Sequence, residues 1–149
     1  MTTTTPDSDR FNLARFVDAQ EGVYSTALAE LRSGKKRTHW IWFIFPQLDG
    51  LGSSAMARRF AIRSLDEARA YLKHPVLGRR LLECCRTLLA LPTTSATDVL
   101  GYPDDIKLRS SVTLFALVAD GQPDFETVLT KFFAGNRDAR TLELLGQSA

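Results

Sequence analysis

The chain has 149 residues, 44% hydrophobic and 24% charged, the ordinary balance of a globular domain. That length suits one domain and buries a full core without disulfides or metal. A net charge of +2 and a pI near 8.7 exclude the strongly basic footprint of a duplex nucleic-acid binder, so attraction to an anion has to come from a local patch.

Residues 1–9 carry no apolar side chain beyond the initiator and read as a flexible tail, leaving 10–149 as a single helical domain. Leu13, Phe16, Val17, Gln20, Tyr24, Ala27, Leu28 and Leu31 recur at three and four residues, which predicts a helix stopping at Gly34. Residues 39–45 are apolar at nearly every position; the run fits a short helix ending before Pro46, and a strand is the alternative. A Gly-Ser loop at 50–54 leads to a helix from Ala55 to Ile62, and Ser64 with Glu67 resembles a capping box for a helix through Lys73. Pro75 suits the first turn of the next helix, which runs to about Leu91 with Leu77, Leu81, Cys84, Cys85, Leu88 and Leu89 inward. Thr94 or Ser95 caps a short turn ending at Gly101. Pro103, Asp104 and Asp105 then open a helix to about Val118, because acids in the first turn complement the helix dipole. Phe125, Val128, Leu129, Phe132 and Phe133 mark a helix after Pro123, and Leu142, Leu144 and Leu145 a last one. No segment alternates. The expected fold is all-α, a single-domain array of about seven helices with irregular orthogonal or horseshoe-like packing. Phe16, Leu81, Leu88, Leu114, Phe115 and Phe132 are expected in one core.

The only cysteines, Cys84 and Cys85, are adjacent. Neighbours on a helix point about 100° apart, which suits neither a disulfide between them nor a tetrahedral metal site. With His39 and His74 the only other soft donors, the sequence implies no metal and no cofactor. Reduced thiols, no secretory signal and a longest apolar run far short of a membrane span imply a cytoplasmic protein that does not enter the membrane.

Chemistry concentrates in two blocks. The first, Thr38 to Gln47, holds both tryptophans, Trp40 and Trp42, with Phe43 and Phe45, and follows Arg32, Lys35, Lys36 and Arg37. Aromatic faces beside fixed positive charge suit a flat anionic ligand. Two residues apart, Trp40 and Trp42 cannot share a helix face, so the simplest arrangement buries one and half-exposes the other. His39 and Gln47 are the polar groups that would orient a stacked ring. Lys35 and Lys36 offset the dipole of the preceding helix, which leaves Arg37 as the better partner for an anion. The second block holds Asp104, Asp105, Lys107, Arg109, Ser110, Ser111 and Thr113. The paired acids are most economically dipole partners, and Ser110 has no sequence neighbour to activate it.

The segments Lys36–Leu48 and Gly101–Phe115, with Phe16–Gln20 and His74–Gly78, resemble the bacterial and fungal domain-of-unknown-function family 1810, over roughly Phe11 to Leu145. The resemblance implies a mainly helical fold and supplies no established reaction. Some members carry the label calpastatin, but calpastatin repeats are disordered and this chain has a core.

The function these features predict is binding of a nucleotide-like or ADP-ribose-like anionic small molecule, with hydrolysis as an added option. The predicted site comprises Arg37, His39, Trp40, Trp42, Gln47, Asp104, Asp105, Lys107, Arg109, Ser110 and Thr113. The tryptophans stack the ring, Arg37, Lys107 and Arg109 hold phosphate, and Asp104 or Asp105 is the acid-base group if an N-glycosidic bond is cleaved. Neither block has enough polar groups alone, so the two have to meet across a cleft. The alternative is a non-enzymatic protein-interaction module that presents the aromatic surface.

Overall fold

Gly22 breaks the helical run that opens the domain. In the computed structural model, which describes residues 9–146, that run forms α1 (Ala14–Gln20) and α2 (Tyr24–Ser33), with Gly22 at φ +72° between them. Asp9, read from composition as tail, caps α1: its carboxylate accepts the Leu13 N–H at 2.5 Å and the Ala14 N–H at 3.2 Å. The rest of the expected tail, residues 1–8, lies outside the described residues.

Beyond Gly34 come α3 (Ile41–Ile44), α4 (Ala55–Arg59), α5 (Leu65–Lys73), α6 (Leu77–Ala90), α7 (Ala96–Leu100), α8 (Asp104–Ala116), α9 (Asp124–Phe133) and α10 (Ala139–Leu145). The all-α class holds, with ten helices among the described residues instead of about seven. The excess comes from the break at Gly22, which splits one expected helix in two, and from the expected turn after Ser95, which forms the five-residue α7. Within the 39–45 run, Ile41–Ile44 form a short helix that ends before Pro46, as favoured. α4 stops three residues short of Ile62 because that residue is used elsewhere: it forms an isolated parallel bridge with Leu48. Ile62 N–H donates to Gln47 O and Asp49 N–H to Ile62 O, both at 2.8 Å. Ser64 caps α5 by accepting the Glu67 N–H at 3.0 Å. α6 starts after Pro75, and His74 Nδ1 accepts the Val76 and Leu77 N–H groups at 3.1 and 3.2 Å, the junction role its position suggests.

The helices gather irregularly round α8, which packs on α3, α5, α7, α9 and α10. Ser110 through Phe115 are all buried, the pattern of a helix enclosed on every side. Phe16, Leu81, Leu88, Leu114, Phe115 and Phe132 share one core, as expected. A continuous series of rings crosses it, Phe43–Phe60–Phe16–Tyr71–Phe115–Phe125, with successive centroids 5.1–5.9 Å apart. These spacings and tilts are those that aromatic quadrupoles favour.

Cys84 and Cys85 are free and fully buried on α6. Burial pushes the Cys84 thiol up to about 12 and that of Cys85 well above its usual value. Both therefore resist a thiol reagent at pH 8 in the folded protein and react together once guanidinium unfolds it. Fast labelling of either one in the native state would show that α6 is not packed this way.

Candidate functional site

Glu30, on the inner face of α2, organises the loop that carries the first block. Its carboxylate accepts the Arg37 N–H at 2.8 Å, the Thr38 N–H at 3.0 Å, the Thr38 hydroxyl at 2.7 Å and the Trp40 indole N–H at 2.9 Å. Burial alone raises a carboxyl pKa. Here the donors from Arg37, Trp40 and Thr38 outweigh it and hold Glu30 down at about 2. Trp40 is fully buried with its polar atom satisfied, and so serves as core.

The two blocks meet through lysines. Lys36 Nζ lies 2.8 Å from Asp104 Oδ2 and 5.0 Å from the Trp40 ring centroid. Lys107 Nζ lies 3.6 Å from Asp104 Oδ1 and 5.3 Å from the Trp42 ring centroid. Asp104 and Lys107 share a face of α8 by three-residue spacing, and that face meets α3. Two cations thus share one carboxylate, each over an indole, the geometry of cation–π attraction. The half-buried Trp42 keeps a buried Nε1 with no partner, and so does the Ser111 hydroxyl one turn beyond Lys107.

The remaining predicted residues are placed otherwise. Arg109 is about 200° round α8 from Lys107, and its guanidinium donates to the carbonyls of Asn136 and Arg137, both at 2.9 Å. Thr113 donates to Arg109 O at 2.8 Å and accepts the Asp138 N–H at 2.9 Å, tying α8 to the start of α10. Ser110 is buried and donates to Ile106 O at 3.1 Å, and Asp105 accepts from the Thr97 hydroxyl at 2.5 Å. Gln47 is half-buried, and Arg37 and His39 are exposed on the loop that Lys36 ties to α8. The lysines and tryptophans meet in a packed contact.

Four surface cavities stand out, and neither tryptophan lines any of them. The largest, about 580 Å³, is a groove between α2 and α6 with Arg32, Arg79, Glu83 and Arg86 on its walls. Its charge is partly answered, since Arg86 pairs with Asp124 at 2.8 Å. Another, about 350 Å³, is lined by Phe11, Asn12, Arg15, Arg58, Arg59 and Arg63. Arg58, Arg59 and Arg63 form a visible basic cluster in the sequence. Its meeting with Arg15, more than forty residues away, is a product of the fold.

A family model described as "Protein of unknown function (DUF1810)" matches residues 10–145. The chain belongs to the DUF1810 family. It is also similar to a crystal structure of the conserved hypothetical protein Rv1873 from Mycobacterium tuberculosis, at 50% identity and a TM-score of 0.91, covering 94% of this chain and 100% of that one. No curated protein matches. The DUF1810 match takes in both the lysine–tryptophan contact and the arginine-lined cavity.

Among the described residues of this DUF1810 chain, no three His, Cys, Asp or Glu side chains gather as metal donors, and no helix is long and apolar enough to cross a membrane.

Proposed function

We propose that this DUF1810 protein binds, without hydrolysing, a small planar anion on the face where Trp42, Lys107 and Asp104 meet. What supports this is the chemistry left over once structural duties are subtracted. Lys107 shares its carboxylate with Lys36 and holds it only at 3.6 Å, while the Trp42 indole N–H beneath it has no acceptor. An anionic group answers Lys107, and a flat ring attached to it packs on the half-buried Trp42 indole. Arg37 and His39 are exposed next to Lys36 in sequence, and Tyr102, 77% exposed, precedes Asp104 by two residues. A nucleotide-like or ADP-ribose-like molecule has these parts. Binding is favoured over cleavage because Asp104 sits between two lysines, Asp105 accepts from the Thr97 hydroxyl and Ser110 donates to a backbone carbonyl, so none of the three is poised as acid or nucleophile.

The second reading, a protein-interaction surface, rests on Tyr102 and Ile106, exposed at 77% and 46% near the start of α8. Two side chains make a small patch against the area that a stable interface needs.

The test is tryptophan fluorescence during titration with nucleotides. Ligand quenches Trp42, while the buried Trp40 serves as an internal reference, so Trp42→Phe removes most of the signal change. Lys107→Ala weakens binding roughly 10- to 100-fold, the effect of losing one charge-assisted contact. If both variants fold and bind as the parent does, the ligand is not on this face.

A further inference from the structure

We infer that the cavity between α1, the end of α4 and the turn into α5 is a separate anion site, built for two linked phosphate groups. Its floor is a structural ion pair. Arg15 Nη2 meets Glu67 Oε2 at 2.8 Å, with side chains only 14% and 3% exposed. Arg15 spends all five of its N–H groups: on Glu67 and on the carbonyls of Phe11, Asn12, Arg59 and Ala61, at 2.7–2.8 Å. The other Glu67 oxygen accepts the Arg63 N–H at 2.9 Å. One buried pair therefore pins the backbone at Arg59 and Arg63, and Arg15 has nothing left for a ligand.

The walls are different. Arg58, Arg59 and Arg63 are exposed, and among the described residues none has a carboxylate within ion-pair distance. The Arg59 guanidinium carbon lies over the Phe60 ring, 5.0 Å from its centroid, within cation–π range. Glu67 is already neutralised by Arg15, so the cavity carries a local excess of three positive charges in a chain whose total is +2. Helix-end electrostatics do not account for this. α4 has five residues and a correspondingly small dipole, and Arg63 lies beyond it. The α2–α6 groove is less one-sided, because there Arg86 pairs with Asp124 and Glu83 lines the same wall. Guanidiniums on a rigid frame with no counter-charge match the bidentate geometry of phosphate oxygens, and about 350 Å³ accommodates a short phosphate chain.

The experiment titrates inorganic pyrophosphate into the full chain, read by calorimetry and thermal melts. Saturating pyrophosphate raises the melting temperature by roughly 5–10 °C at a hundredfold excess over Kd, and sulfate at equal ionic strength raises it much less. Arg58→Gln with Arg63→Gln weakens pyrophosphate at least about tenfold, as expected for losing charge-assisted contacts. Arg32→Gln with Arg79→Gln removes the same charge from the α2–α6 groove and changes affinity less than about twofold. Trp42→Phe leaves pyrophosphate binding unchanged, which separates this site from the tryptophan face. Equal loss in the two double variants would reduce the effect to bulk electrostatics and overturn the proposal. So would a sulfate response matching that of pyrophosphate, or a loss of affinity in Trp42→Phe.

Discussion

Replacing Glu30 with alanine is expected to destabilise the fold by about 3 kcal/mol or more, the usual cost of stranding several buried donors. Three N–H groups, from Arg37, Thr38 and Trp40, lose their acceptor at once. Water can reach the first two from the loop surface. It does not reach the indole of the fully buried Trp40, so that donor bears the full desolvation cost. The same carboxylate has a pH signature. Its pKa is lowered from 4.5 to about 2 by folding, so the unfolded chain binds a proton before the folded chain does. The stabilisation, about 3 kcal/mol for a shift of this size, is fully present above pH 4.5 and disappears as the pH falls to about 2. Denaturant melts of the parent and Glu30→Gln across that range provide the check. The stability gap between them should be largest near neutrality and shrink on acidification. A constant gap would mean that Glu30 is not the acceptor of these bonds.

Gly78→Ala is expected to cost a similar amount, although helix propensity predicts a gain of about 1 kcal/mol for the same change. A Cβ on Gly78 would sit 2.0 Å from the Leu72 carbonyl oxygen and 2.8 Å from its carbon. Both atoms are backbone, so no side chain can swing aside, and α5 and α6 have to part. We expect a loss of about 3 kcal/mol, or roughly 6–12 °C in melting temperature for a chain of this size. Gly22→Ala is the control. Its added Cβ meets nothing within 4 Å, and its strain comes only from φ +72°, so about 1 kcal/mol is expected there. If Gly78→Ala melts at or above the parent, the helices do not pack this closely.

How much was legible follows from what each signal depends on. Helix class, the caps at Ser64 and Ser95 and the stop at Gly34 are local, decided by spacing and by backbone groups within a few residues. The break at Gly22 was masked because Gln20 and Tyr24 continue the three-and-four spacing across it. Both have tertiary roles: Gln20 donates to Phe43 O at 2.7 Å, and Tyr24 to Glu83 and to Arg80 O.

The candidate site divides in the same way. The aromatic block and the acid-lysine block were legible as chemistry, and so was the requirement that they meet. The full burial of Trp40 was decided by Glu30, ten residues away on α2, which accepts its indole N–H. Arg109 and Lys107 looked equivalent in sequence; their separation on α8 sends one to the carbonyls before α10 and the other to Trp42.

The sequence by itself determined an all-α domain, its core residues and its unusual concentration of rings and cations, because periodicity, capping and composition are properties of neighbours along the chain. The tertiary structure alone decided which charges are spent and which remain. Arg15 finds Glu67 and Lys36 finds Asp104 across fifty or more residues, and a charge counts as free only after such pairings are made.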